Sequence, residues 1–200
     1  MTKTIKDRLA FMISAVFSPP LVAGLAILAI SVYYESRYEY FWIWALLGIF
    51  ILIGPASAYV YWAFHKGNVR GLNLSEREER LRPLAIALIG AVIGTWVLLR
   101  KDAPAALTIM GITLISELVI IIFVTVFWKI SLHTMAFSSV VTLLAYLYNP
   151  YALILYFFLI PVGWSRIHRK RHSLLQVIAG SLVGLITALG VFTLFHYRSR

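Results

Sequence analysis

The chain contains no cysteine, which excludes disulfide bonds and thiol chemistry. Acidic side chains are almost as scarce. There are 8 Asp and Glu among 200 residues (Asp7, Glu35, Glu39, Glu76, Glu78, Glu79, Asp102 and Glu117), so any carboxylate chemistry must draw on this short set. Charged residues of both signs make up 13% of the chain, where a soluble domain carries about 25%. A barrel-strand pattern of about ten alternating residues is also missing, as are internal repeats, low-complexity tracts and a domain linker.

What remains is apolar. Hydrophobic residues account for 61% of the chain, arranged in runs close to the roughly 20 residues that a membrane-spanning helix needs. Seven such segments are readable, at about 9–33, 41–64, 83–99, 104–128, 132–148, 150–165 and 173–196. Backbone hydrogen bonding in lipid makes each of them a helix. The expected fold is therefore all-α, a polytopic transmembrane helix bundle of six or seven spans. It reads as a single membrane-embedded domain over 1–200, with its polar motifs concentrated in 75–196. Pro19-Pro20 predicts a kink or break near the start of the first segment. Asn149-Pro150 predicts a tight hairpin between the fifth and sixth, either of which could be re-entrant. The N-terminal run continues to about Tyr33 without a small-residue cleavage site, which suits a retained first span.

The formal net charge is +10, with 18 Lys and Arg. In a seven-span topology 13 of these 18 lie on the N-terminal face, together with every long polar stretch, so the positive-inside rule places that face in the cytoplasm of a multi-pass cell-membrane protein. Charge confined to short loops against a membrane points to anionic headgroups or phosphorylated substrates rather than nucleic acid.

Three polar stretches carry the chemistry. The first ends Arg77-Glu78-Glu79-Arg80-Leu81-Arg82-Pro83, where the proline sets Arg80 and Arg82 at the start of a helix, among outward-pointing N–H groups that favour an anion. The second, Lys129-Ile130-Ser131-Leu132-His133, alternates a cation, a hydroxyl and an imidazole with apolar residues. The third runs from Ser165-Arg166 to His172 and Gln176, the last two four residues apart on one helix face. Taken singly, each stretch also fits interfacial anchoring, helix capping or headgroup binding.

Together they resemble the three signature motifs of the type 2 phosphatidic acid phosphatase superfamily. That pattern is a Lys, six residues, then Arg-Pro; later Pro-Ser-Gly-His; later Ser-Arg, five residues, His, three residues, Asp. Ser165, Arg166 and His172 match the third motif with its spacing intact. Ser131 and His133 match the second, with Ile130 and Leu132 in place of Pro and Gly. Arg82-Pro83 matches the first, whose lysine position is Ser75. The resemblance implies His172 as nucleophile, His133 as general acid, and Arg82, Arg166 and Ser131 as phosphate ligands. Lys129 or Arg77 would replace the missing lysine, with no metal or other cofactor. It implies an integral membrane phosphatase acting on a lipid phosphate or prenyl diphosphate through a phosphohistidine, with membrane lipids as its other partners. Haloperoxidase chemistry belongs to a branch that does not span membranes.

Gln176 stands where the family has Asp. Its carbonyl can accept the Nδ1 proton of His172, but it brings no negative charge. Two readings follow from that. In one the protein is a working phosphatase, with Glu76, Glu78 or Glu79 supplying the charge that Gln176 lacks. In the other it is a catalytically weakened relative that binds or transports anionic lipids. Glu117, roughly 18 Å below Lys129 along a helix, lies too deep to serve His172 and is expected to pair with a polar group on a neighbouring span.

Overall fold

The apolar segments of the sequence become eight helices in the computed structural model, which describes residues 4–34, 40–69, 71 and 77–195. They are α1 (Ile5–Val16), α2 (Pro19–Tyr34), α3 (Phe41–His65), α4 (Leu81–Arg100), α5 (Ala105–Phe127), α6 (Leu132–Leu147), α7 (Pro150–His168) and α8 (Leu174–Leu194). No strand occurs among the described residues. By length and composition, α3, α4, α5, α7 and α8 can cross a membrane. The pair α1 and α2, bent by 44°, makes a sixth candidate span. The bend falls at Ser18-Pro19, where a proline begins α2 and removes a backbone donor. Helix α6, with 16 residues, is apolar but shorter than the rest.

The chain divides into two compact units, with the boundary inside α2. Residues 24–129 form one of them. Here α3 contains a π-helical turn at Ile49–Ile53, immediately before Gly54-Pro55. Pro55 offers no N–H to the helix ladder, which accounts for the local widening. Helix α4 presses Gly90 against Pro55 and Gly94 against Ile51 and Leu52, and Gly111 of α5 packs on Thr95 of α4.

Residues 1–23 and 130–200 form the other unit. Its centre is the contact between α6 and α8. A Cβ added at Gly180 would lie 2.5 Å from the Ser131 carbonyl oxygen, and one at Gly184 would meet the Met135 carbonyl more closely still. Hydrogen bonds follow the same line. The Ser131 N–H donates to the Gln176 carbonyl at 3.0 Å, Thr134 Oγ1 to the Val177 carbonyl at 3.0 Å, and Ser138 Oγ to the Ser181 carbonyl at 2.8 Å. Residue numbers rise together on both helices, so α6 and α8 run parallel with their N-termini side by side.

Helix α7 returns antiparallel to α6. Its first half, Pro150–Phe158, is 3-10. Asn149 accepts the Tyr151 N–H at 2.9 Å and makes the hairpin that Asn149-Pro150 predicts. Tyr156 reaches Thr142 Oγ1 at 2.6 Å and the Ser138 carbonyl at 3.1 Å. Helix α1 packs beside α7. Phe17 lies edge-on to Phe137 and stacked on Phe158, and Asp7 accepts from His168 Nε2 at 2.9 Å.

The Gly184 contact is with backbone, so a larger residue cannot be absorbed by a rotamer change. Gly184→Leu is expected to destabilise this unit by about 1–3 kcal/mol, read as a lower unfolding midpoint in detergent. Gly190→Leu, where an added Cβ meets nothing, should leave the midpoint near that of the wild type.

Candidate active site

The third motif is a helix corner. Helix α7 ends at His168, with Arg169 as its C-cap. Lys170 follows in the left-handed conformation, φ 54°. The Lys170 N–H donates to the Ile167 carbonyl at 2.8 Å and the Arg171 N–H to the Arg166 carbonyl at 3.0 Å. This is the Schellman pairing, with lysine in the place usually taken by glycine. The His172 N–H also donates to the Arg166 carbonyl, at 3.3 Å. Ser173 then caps α8. The Arg-to-His spacing is therefore the length of one C-cap joined directly to one N-cap, and a single carbonyl ties Arg166 to His172.

Gln176 has two partners. Its Oε1 accepts the Ser173 N–H at 3.2 Å, completing a capping box with Ser173 Oγ, and lies 3.1 Å from His172 Nδ1. The Ser173 N–H can only donate, so the amide oxygen must face this point. His172 Nδ1 must then carry a proton, and in the neutral ring Nε2 holds the lone pair. One glutamine thus caps the helix and sets the tautomer of the histidine before it.

His133 and Arg166 meet on α1. Arg166, 1% exposed, donates through Nη1 to Ser14 Oγ. His133, 4% exposed, places Nε2 3.1 Å from the Ser14 carbonyl and 3.4 Å from Ser14 Oγ. The Ser14 carbonyl is in the last turn of α1, where the helix ladder leaves carbonyls over; the Ser18 N–H goes to Ala15 instead. His133 Nε2–H fills that vacancy. A cation and an imidazole therefore converge on one hydroxyl oxygen, in the manner in which they would hold a phosphoryl oxygen.

Ser131 is fully buried and caps α6, its Oγ accepting the Thr134 N–H at 3.4 Å. Helices α6 and α8 both begin here. Their positive dipole ends add to the Arg166 charge and favour an anion beside His133 and His172.

One unit therefore brings together Ser131, His133, Arg166, His172 and Gln176. Arg77, Arg82 and Lys129 belong to the other. Arg77 donates to the Val126 and Phe127 carbonyls, both at 3.3 Å, at the C-terminus of α5, and lies 3.4 Å from Glu78. Arg77 there satisfies helix-end carbonyls. The exposed Glu78 carboxyl is held below its ordinary pKa by a backbone hydrogen bond and by the charges of Arg77 and Lys129. Helix α4 starts at Leu81, as Pro83 predicts, but Arg82 is exposed and Arg80, 2% exposed, is the buried arginine of this stretch. Glu117 is buried within α5. Ser75, Glu76, Glu35 and Glu39 lie outside the described residues. Ser14 had no motif to announce it: it is one serine in an apolar helix, 119 residues before His133.

Residues 123–200 match the PAP2 superfamily. The family is the one that the motifs resemble. The matched PAP2 segment contains the second and third motifs, with Lys129, Ser131, His133, Arg166, His172 and Gln176, and begins after the first motif with Arg77 and Arg82. No curated protein and no solved structure matches the chain.

Two substitutions test this geometry. Ser14→Ala takes an acceptor from a buried guanidinium and should cost about 1–3 kcal/mol, seen as a lower unfolding midpoint that Ser14→Thr largely restores. Lys170→Gly relieves a left-handed side-chain clash worth about 1 kcal/mol and should raise the midpoint, whereas Lys170→Val should lower it.

Proposed function

We propose that the protein is an integral membrane phosphatase that hydrolyses a lipid phosphate or prenyl diphosphate through a phosphohistidine at His172. A phosphatase-type function in general is supported by the match of residues 123–200 to the PAP2 superfamily. The single observation that carries the finer reading is the Gln176 contact, which leaves His172 Nε2 as a lone-pair nitrogen at the shared N-termini of α6 and α8.

The chemistry would run as follows. Nε2 of His172 attacks phosphorus in line with the ester oxygen. The P–O bond breaks, and the electron pair leaves on that oxygen, which takes a proton from His133. Arg166, Ser131 and the two helix ends hold the phosphoryl oxygens while charge moves between attacking and leaving atoms, which is where most of the catalytic stabilisation lies. Water then attacks phosphorus, the N–P bond breaks, inorganic phosphate leaves and His172 is restored. His133 must turn its proton from the Ser14 carbonyl to the leaving oxygen. Arg82 enters this scheme through its match to the first motif, and Lys129 or Arg77 as a stand-in for the lysine missing from that motif; no cofactor is required. The active-site face is assigned to the cytoplasmic side of the cell membrane from the distribution of Lys and Arg.

A second reading rests on one specific observation, the neutral partner of His172. Gln176 fixes the ring but does not stabilise its cation, so a protein that binds anionic lipid without turnover is the alternative. The deciding measurement is phosphate release in detergent micelles from a panel of lipid phosphates and prenyl diphosphates. Wild type should release phosphate and His172→Ala should not. Gln176→Leu should lose turnover by up to about 10⁴, the penalty for a mis-set catalytic tautomer in serine proteases. Gln176→Asp should equal or exceed wild type. Equal release by wild type and His172→Ala would overturn the mechanism, and binding of the same lipids without release would favour the alternative.

A further inference from the structure

Next to the corner that carries His172 is a cleft of about 490 Å³ with two kinds of wall. Arg8, Arg169 and Arg171 supply cations, Phe11 and Met12 an apolar rim, and Asp7 a single carboxylate. The carboxylate is already engaged, accepting from Thr4 Oγ1 at 2.8 Å and from His168 Nε2 at 2.9 Å. Positive charge is therefore in excess here. Phe11 and Met12 are 57% and 61% exposed.

The arginines are placed rather than scattered. The left-handed Lys170 turns the chain so that Arg169 and Arg171, on either side of it, line the same cleft. The Arg169 guanidinium sits 5.2 Å over the Phe11 ring, a cation–π contact that fixes the head at the apolar rim. Burial and the nearby Arg171 charge together pull the Arg169 pKa below its ordinary value, so these two like charges are held near each other. Such an arrangement is unfavourable alone and becomes favourable when an anion lies between them. None of the three arginines belongs to the motif pattern. The order along the chain is buried phosphate ligand (Arg166), cationic cleft (Arg169 and Arg171), then nucleophile (His172), with the apolar rim supplied by α1.

We propose that this cleft is a specificity-determining subsite for the second anionic group of an amphiphilic substrate, with Arg169, Arg171 and Arg8 binding the non-scissile phosphoryl group and Phe11 and Met12 guiding the start of the apolar chain. This rests on the phosphatase reading above. In a diphosphate, the terminal phosphoryl group passes to His172 Nε2 and the bridging P–O bond breaks with its electron pair on the monophosphate oxygen. That monophosphate, still attached to the apolar chain, is the group the three arginines hold. Water then releases inorganic phosphate from the histidine.

The test compares a C15 prenyl diphosphate with the C15 prenyl monophosphate in the same micelles. The measured quantity is the ratio of kcat/KM for the two substrates. Arg169→Gln/Arg171→Gln removes two charge-assisted contacts and should lower that ratio by at least about tenfold relative to wild type, and Arg8→Gln should lower it in the same direction. All three arginines reach solvent, and a Lys66→Gln variant carries the same loss of one charge as Arg8→Gln, outside the cleft. If Lys66→Gln lowers the ratio equally, or the double variant leaves it within twofold of wild type, the subsite is overturned. A competing effect of inorganic pyrophosphate that is lost in the double variant while the ratio stays unchanged would show a free-anion site and overturn it as well. Release that persists in His172→Ala instead defeats the underlying phosphatase reading, so the two failures are distinguishable.

Discussion

Everything in the C-terminal part of this molecule depends on how closely the backbones of α6 and α8 approach. Lipid offers apolar helices no reason to leave it for one another, so helix association in a membrane relies on van der Waals contact and hydrogen bonds between them. Gly180 and Gly184 make the contact by removing side chains, and Ser131, Thr134 and Ser138 use the resulting proximity to reach carbonyls on α8. The pairing also fixes register. Slipping one helix by a turn would break all three bonds and would carry His133 about 5 Å from its place beside His172.

The two histidines are then set by different ends of the same machinery. His172 precedes the cap of α8 and is steered by a glutamine whose first duty is to that cap. His133 sits in the first turn of α6 and completes the last turn of α1. Both are therefore helix-terminus residues, and the site is a meeting of helix ends. A site built this way draws on backbone dipoles that do not titrate, which suits a chain with so few carboxylates to position or balance its cations.

Much of this was legible in the sequence. The apolar runs gave every helix, and the break at Pro19 and the turn at Asn149 were marked by their own residues. The spacing of His172 and Gln176 announced their hydrogen bond and the resemblance its Nδ1 end, although His172 lies before the cap of α8 and not on its face. Other features were hidden for physical reasons. Lys170 adopts a conformation that composition assigns to glycine, because the Schellman bonds outweigh the local strain. The 3-10 half of α7, from which Tyr156 reaches Thr142 and Ser138 on α6, has no mark in the local sequence. Proline placed the start of α4 correctly but could not say that Arg80 rather than Arg82 is the buried arginine. Ser14 was invisible because a lone serine in an apolar helix looks like any other small residue until the chain that packs against it is known.

The corner from Arg166 to Ser173 has one more consequence. Phosphate-binding loops commonly order as they close on their ligand, and each residue that loses its backbone freedom then subtracts about 1–2 kcal/mol from the binding free energy. Here the amides of Lys170, Arg171 and His172 are bonded to the end of α7, and that of Ser173 to Gln176. That freedom has been given up during folding, so in the proposed mechanism Arg166 and His172 would receive a phosphate on backbone that has nothing left to surrender.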